Sequence, residues 1–170
     1  DLNAVIDHFK NDPRFTKLFL MGFSQGGFVS SYVAAQRPED VAGLVLEYPA
    51  YVLQDDARKR ALSDGAFPAT SNVMGQTIGH VYNEAAVSFE IYDVIRDYTG
   101  KALILHGDQD RIVPLKYSAS RIFDSSFGYF FGVFRIRHFP AMLMVEYFTV
   151  TYPENSEIRV NDFFSYLEWA

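Results

Sequence analysis

The sequence predicts an α/β domain in which a mostly parallel sheet is flanked by helices. Short apolar runs at 17–21, 41–47 and 101–105 lack polar alternation, which is typical of strands buried on both faces. Helical segments separate these runs, and this alternation favours parallel strands joined by right-handed crossovers. A glycine-rich turn at 22–27 directly follows the first run. The carboxyl ends of the strands should therefore share one edge of the sheet, where ligands bind in such folds.

The other elements follow in chain order. Apolar residues recur at helical spacing from Leu2 to Phe9, and Pro13 closes that segment. Further helices are predicted at 28–36, within 78–96, at 114–123 and at 158–169. Pro114 suits the first turn of its helix, where its missing N–H costs nothing. A fourth strand is predicted at 128–136.

Residues 51–97 differ in character from the rest of the chain. The part at 55–62 is charged and helix-prone, and the part at 63–79 contains glycine and proline but little periodicity. We expect this 51–97 segment to be a cap inserted into one domain that spans 1–170, and not a separate domain.

Composition excludes several kinds of site. A net charge of −6 argues against a nucleic-acid partner, which would need a basic surface. The absence of cysteine excludes disulfides, a thiol nucleophile and cysteine metal sites. No run reaches the ~18 apolar residues of a membrane helix, so no membrane partner is expected. No cofactor or metal motif is present. The compartment stays open, with the cytoplasm favoured.

The turn at 22–26 fits the pattern Gly-x-Ser-x-Gly, with Ser24 as a candidate nucleophile. It lies between a predicted strand and a predicted helix, the context in which a sharp turn exposes the serine hydroxyl. The N–H of Gln25, at the helix start, could donate to an oxyanion. The glycines at 22 and 26 should let strand and helix approach closely. An idle serine in a glycine-rich turn is the alternative, since neither the Walker pattern nor Gly-x-Gly-x-x-Gly is met.

A serine nucleophile needs a base and a carboxylate that orients the base. Where a serine nucleophile lies in a strand-to-helix turn of this kind, the acid and then the histidine follow it along the chain. Among the four histidines, His138 is the one that follows the acid candidates named next. The polar loop at 106–114 offers Asp110 as the acid, with Asp108 as its competitor. Asp108 could instead be a turn residue that bonds its own backbone.

These residues resemble the α/β-hydrolase superfamily, and most closely the bacterial cinnamoyl and feruloyl esterases with their serine-aminopeptidase-like relatives. The matching features lie at 22–27, 44–46 with 49–50, 91–93, 106–110 and 113–114. The resemblance implies Ser24 as nucleophile, Asp110 as acid and a 51–97 segment that helps bind the acyl or aromatic part of a substrate.

The chain departs from that family in two places. The family has several strands before the elbow, including a loop with the second oxyanion donor, whereas one helix precedes residue 17 here. We therefore expect an N-terminally truncated, C-terminal part of the fold, poorly active by itself. The aromatic-rich stretch at 127–150 also lacks the expected glycine–histidine turn. Counting from Asp110 puts the base at His138, while counting back from the last helix puts it near Glu146. The stretch is therefore either an insertion or altered sequence.

Three functions remain open on the sequence. The first is a serine esterase acting on small-molecule esters, hydroxycinnamoyl or short-chain acyl. The second is a peptidase of the prolyl-oligopeptidase or aminopeptidase type, which would need an acidic group to hold a substrate amine. The candidate residues for that role are Asp55, Asp56, Asp64 and Glu84. The third is an inactive module on a hydrolase scaffold.

Overall fold

The computed structural model of the 170-residue chain describes residues 1–96, 98–119, 129–139, 142–151 and 157–158. From residue 119 onward the description covers the backbone alone. The helices are α1 (Leu2–Phe9), α2 (Gln25–Gln36), α3 (Leu53–Lys59), α4 (His80–Val87), α5 (Ile91–Ile95) and α6 (Lys116–Ala119). The strands are β1 (Phe19–Phe23), β2 (Gly43–Glu47), β3 (Thr70–Val73), β4 (Gln76–Gly79), β5 (Lys101–Gly107), β6 (Tyr129–Phe139), β7 (Met142–Thr151) and β8 (Glu157–Ile158).

A six-stranded sheet with the order β1-β2-β5-β6-β7-β8 organises the chain. The first four of these strands run parallel, as the alternating pattern predicted, and β7 and β8 are antiparallel to their neighbours. Phe23 pairs with Glu47, and Glu47 pairs with Leu105. The residues that follow these rungs therefore meet at one edge of the sheet.

One face of the sheet carries the apolar core. Leu20 of β1 pairs with Leu44 of β2, which pairs with Ala102 of β5, and all three are at most 8% exposed. Helix α2 lies against β1 and β2 through Phe28, and Ile91 of α5 joins the same cluster. Each large apolar side chain buried here contributes roughly 1.5–3 kcal/mol. This layer therefore sets the register, because a one-residue slip would turn its side chains to the other face.

The opposite face of β1 is open. Phe19, Met21 and Phe23 alternate with the buried residues of the strand and are 47%, 57% and 48% exposed. Among the described strands, β1 pairs with β2 alone and lies at the edge of the sheet. The strand thus presents an apolar row on one face and one unpaired backbone edge.

The 51–97 segment contains three helices and a hairpin. Helix α3 packs against α4, and the antiparallel strands β3 and β4 form a separate two-stranded sheet. The hairpin turn has positive φ at Met74 (50°) and Gly75 (84°), as a two-residue turn of the primed kind requires. Asn72 Oδ1 accepts a hydrogen bond from the Gly75 N–H at 3.1 Å.

Several predicted boundaries need correction. The first strand is Phe19–Phe23 and not 17–21, because pairing begins where β2 begins, at Gly43. The single helix predicted within 78–96 is wrong, since β4 reaches Gly79 and a break at 88–90 separates α4 from α5. Gln54 stabilises that break: its amide donates to the Ala86 carbonyl at 2.8 Å and accepts from the Ile91 N–H at 3.0 Å.

The chain after β5 differs from the prediction as well. The fourth strand extends past 136 to Phe139 and pairs with β7, a strand that was not predicted. Ile158, the expected start of the last helix, lies in β8 and pairs with Val150. The remainder of that helix, 159–169, and residues 120–123 of the predicted 114–123 helix lie outside the described residues. None of the helices in the described part of the chain is long and apolar enough to cross a membrane.

Candidate active site

Ser24 occupies the sharp turn between β1 and α2. Its backbone has φ 50° and ψ −119°, a conformation that a residue with a side chain rarely adopts. Strain of this kind costs about 1–3 kcal/mol and is found mainly at active sites and switch regions. The surrounding backbone holds it: the Ser24 N–H donates to the Glu47 carbonyl at 3.0 Å, and the Ser24 carbonyl accepts from the Ala50 N–H at 2.9 Å.

Two glycines make this turn possible. A Cβ on Gly22 would lie 2.4 Å from the Gly26 carbonyl oxygen, and a Cβ on Gly27 would lie 2.9 Å from Pro49 Cα. A Cβ on Gly26 would meet nothing within 4 Å. The close approach of strand and helix thus depends on Gly22 and Gly27, whereas the predicted need for glycine at 26 was wrong.

Gln25 is the first residue of α2, so its N–H lies at the amino end of the helix, one residue after Ser24. The first N–H groups of a helix have no partner within it, and the helix dipole favours negative charge there. The position is the one predicted for an oxyanion donor.

Asp110 lies in the loop after β5 and is anchored by one carboxylate oxygen. Its Oδ1 accepts from the N–H of Ile112 at 2.8 Å and of Val113 at 2.9 Å. Its side chain is 22% exposed. Asp110 thus makes local backbone bonds of the kind that was the alternative role for Asp108. Asp108 is half-buried in the turn at 108–109.

Ser24 and the Asp110 loop lie at the same edge of the sheet. Ser24 follows the end of β1, and the loop follows the end of β5, two strands away. Strands two positions apart are separated by about 10 Å. One imidazole and two extended side chains can bridge that gap.

His138 lies in β6 and not in a loop after the strand, as was expected. Strand β6 runs parallel to β5, so the two carboxyl ends do share an edge, as the role of His138 requires. The last rung with β5 is Phe134, and His138, four residues further, pairs with Leu143 of β7. A straight strand would carry it about 13 Å beyond that rung. The register shifts between Phe134 and Ile136, and an irregularity of this kind can bend a strand.

His106 is a polar residue whose surroundings the sequence did not reveal. It is 1% exposed, and its ring bonds to Ser118 Oγ and to the Val113 carbonyl. Burial lowers the pKa of this histidine. Its place at the end of a buried apolar strand was the one available signal that it packs inside.

Tyr117 and Asp55, a second pair missed as partners, join α6 to the 51–97 segment. The Tyr117 hydroxyl donates to Asp55 Oδ2 at 2.8 Å, and the Tyr92 hydroxyl donates to the Tyr117 carbonyl at 2.5 Å. Burial, and then the bond to the Asp55 carboxylate, raise the pKa of Tyr117 to about 12. The bond from Tyr117 is the main cause that lowers the pKa of Asp55.

No group of three or more potential ligand side chains that could hold a metal ion is found among the described residues. This edge holds the Ser24 hydroxyl, the Asp110 carboxylate and the backbone N–H of Gln25. Such a set suits acyl transfer through a serine.

Comparison with known proteins assigns the chain to a protein family. Residues 1–97 match a family model described as "Serine aminopeptidase, S33", in the class of hydrolases. No curated protein sequence matches the chain.

Among solved structures, Est1E from Butyrivibrio proteoclasticus superposes with a TM-score of 0.72 at 25% identity, over 78% of this chain and 57% of its own. A second structure of Est1E, with ferulic acid bound, superposes with the same TM-score over 79% of this chain and 56% of its own. The α/β hydrolase GrgF from Penicillium superposes with a TM-score of 0.58 at 15% identity, over 79% of this chain and 61% of its own. The fold is thus the expected one, and the chain spans a little over half the length of these proteins.

Proposed function

Because this chain belongs to the serine aminopeptidase S33 family of hydrolases, we propose that it is the catalytic part of a serine esterase. The observation that carries the proposal is the strained backbone of Ser24, held between β1 and α2 by hydrogen bonds from two neighbouring segments. Backbone strain of this kind is typical of functional sites and is not expected at a serine that takes no part in chemistry.

Ser24 is the nucleophile in this proposal. Its Oγ attacks the ester carbonyl while a base takes its proton, and the Gln25 N–H stabilises the oxyanion. Asp110 orients the base through Oδ2, since Oδ1 is engaged by the loop backbone. The alcohol leaves with a proton from the base, and water, activated by the same base, hydrolyses the acyl-serine.

His138 is the proposed base, on the chain order of the triad. The role requires that β6, beyond its last rung with β5, bends toward Ser24. The irregularity between Phe134 and Ile136 lies at the right place for such a bend. The check is the distance from Ser24 Oγ to the nearer His138 ring nitrogen: about 2.6–3.2 Å, or somewhat looser without substrate, fits the role.

Ester substrates are favoured over peptides by the acidic side chains of the 51–97 segment. A peptidase that binds a free amine needs a carboxylate for it, and all four candidates already have partners. Asp55 bonds to Arg58 and Tyr117, Asp56 to Lys59, Asp64 to the Ala66 N–H, and Glu84 to His80.

We infer that the 51–97 segment is a cap over the site that contributes to binding the acyl group. Hydroxycinnamoyl esters are the first substrates to test, because Est1E, at 25% identity, has been solved with ferulic acid. Short-chain acyl esters are the second class.

A fluorophosphonate probe tests the nucleophile directly. The probe should label one residue, Ser24, and Ser24→Ala should abolish labelling. Ser88→Ala is the matched control, because Ser88 is exposed and its hydroxyl bonds to the Ala85 carbonyl. Labelling that persists in Ser24→Ala would refute the assignment.

Substrate class is tested with three chromogenic panels: hydroxycinnamoyl esters, short-chain esters and aminoacyl anilides. The proposal expects ester turnover with no anilide turnover. Turnover of anilides alone would replace the esterase with a peptidase. Labelling of Ser24 without turnover of any panel would identify a nucleophile in a chain that does not complete the reaction.

A further inference from the structure

His106 has no part in the proposed chemistry, yet it is buried and both of its ring nitrogens have hydrogen-bond partners within the protein. It ends β5 next to the acid loop and is 1% exposed. Its Nδ1 lies 2.8 Å from Ser118 Oγ, and its Nε2 lies 2.8 Å from the Val113 carbonyl oxygen. Both ring nitrogens are thus engaged, so the ring has no nitrogen left for Ser24.

The partners determine the tautomer. A carbonyl oxygen can only accept, so Nε2 carries the hydrogen and donates to Val113. In the neutral ring Nδ1 then accepts from the Ser118 hydroxyl. Burial lowers the pKa of His106, which keeps the ring neutral near pH 7.

Val113 is clamped from both sides by this arrangement. Its carbonyl accepts from His106, and its N–H donates to Asp110 Oδ1 at 2.9 Å. The position of one Asp110 oxygen is therefore tied to a residue, Val113, that also bonds to the His106 ring. Asp110 Oδ2 lies 3.9 Å from His106 Nε2, too far for a hydrogen bond, so His106 does not use up the second oxygen.

We propose that His106 is a positioning residue, which holds the acid loop through Val113 so that Asp110 presents Oδ2 to the catalytic base. This inference rests on the proposed function, in which Asp110 is the acid of a serine triad. Ser118 supports it by fixing the tautomer that lets Nε2 donate.

A double-mutant cycle separates this role from a general loss of structure. The measurement is the rate at which a fluorophosphonate labels Ser24 at pH 7. His106→Ala should slow labelling by up to about 100-fold, since a misplacement near 1 Å can cost that much. In an Asp110→Asn background the same change should make less than about a twofold difference, because the effect acts through Asp110.

Two further variants act as controls. His106→Gln keeps a donor for the Val113 carbonyl and should recover most of the rate. If His106→Ala does not fold, Ser118→Ala replaces it in the cycle with Asp110→Asn. Ser118→Ala removes the Nδ1 partner alone and should slow labelling less than His106→Ala. An equal loss from His106→Ala in both backgrounds would overturn the proposal, because it would show that His106 acts without Asp110.

The outcomes keep this inference distinct from the proposed function. If Asp110→Asn leaves the labelling rate unchanged, the triad assignment fails and the inference fails with it. If Asp110→Asn slows labelling and His106→Ala does not, the inference alone fails. Nitrogen chemical shifts of the His106 ring give an independent check at pH 7: protonation at Nε2 alone is expected, and protonation at Nδ1 would overturn the clamp.

Discussion

At the scale of single residues, the elbow combines strain at Ser24 with small size at its neighbours. Ser24 has a positive φ of 50°, and Gly22 and Gly27 let strand and helix come into contact. Gly26 is exposed and has open space at its Cβ position. The three glycines therefore differ in how they tolerate a methyl group.

Alanine substitutions at these glycines test that difference. Gly22→Ala and Gly27→Ala should each lower the free energy of unfolding by about 1–3 kcal/mol or more, because the new Cβ meets backbone or Pro49. Gly26→Ala should be neutral or stabilise by up to about 1 kcal/mol, because alanine favours the helix. Urea unfolding followed by circular dichroism measures this; equal losses at all three positions would contradict the contact geometry.

The acid is the second prediction at this scale. Asp110→Asn should slow the labelling of Ser24 by up to about 10⁴-fold, because it leaves the base in the wrong tautomer. Asp108→Asn, two residues away in the same loop, should change the rate by far less. A larger loss from Asp108→Asn would mean that the roles of the two carboxylates are reversed.

At the scale of elements, the contact between α6 and α3 joins the acid side of the edge to the 51–97 segment. The Tyr117 hydroxyl donates to the Asp55 carboxylate, and α6 also carries Ser118, the partner of His106. The short helix α6 is thus bonded both to α3 and to the end of β5. Its position depends on these hydrogen bonds together with the packing of Tyr117 against the apolar core.

Tyr117→Phe removes the bond to Asp55 and should lower the free energy of unfolding by about 1 kcal/mol at pH 7. Asp56→Asn is the control, because Asp56 makes an exposed pair with Lys59, and such pairs contribute little. Thermal unfolding at pH 7 compares the two. An equal loss of unfolding free energy in Asp56→Asn and Tyr117→Phe would show that the Tyr117–Asp55 hydrogen bond contributes no more than an exposed ion pair.

The same bond should depend on pH in a defined direction. The pKa of Asp55 is lowered in the folded state, so its contribution is present above the ordinary value of 3.8 and is lost as pH falls through the lowered value. The pKa of Tyr117 is raised to about 12, so its contribution is present below the ordinary value of 10.0 and is lost as pH rises toward 12. Wild type and Tyr117→Phe should therefore differ most in melting temperature between about pH 5 and 9, and converge outside that window. A difference that is constant from pH 3 to pH 11 would contradict this assignment.

At the scale of the whole molecule, the two faces of β1 differ, because one is covered by packed side chains and the other is largely exposed. The face with Leu20 is packed under α2, whereas Phe19, Met21 and Phe23 remain about half exposed. An apolar row on an edge strand is a template for association with other chains.

Substitution of two exposed methionines tests this. Met21 lies within the apolar row of β1 and is 57% exposed, while Met74 is 80% exposed at the tip of the β3–β4 turn. Met21→Glu should reduce concentration-dependent self-association, and Met74→Glu, with the same change in charge, should not. Sedimentation velocity over a range of concentrations measures this; equal effects would point to net charge and not to the β1 face.

Sequence patterns predicted much of the first 107 residues because their signals are local. Continuous apolar runs marked β2 and β5 to within a few residues, and the spacing of Leu2 and Phe9 marked α1. The glycine–serine pattern identified the elbow, and its strand-to-helix context was confirmed. The break between α4 and α5 was missed, because it depends on Gln54, more than thirty residues away in the chain.

The sequence by itself determined the α/β class, the alternation of strands and helices and the identity of Ser24 as the candidate nucleophile. These follow from short-range periodicity and from a turn that only certain residues can form. Tertiary structure alone decided which glycines touch backbone, that Asp110 bonds the backbone of its own loop, and that the His106 ring bonds to the Val113 carbonyl. Such contacts join residues through space after the sheet has formed, and no spacing along the chain encodes their distances.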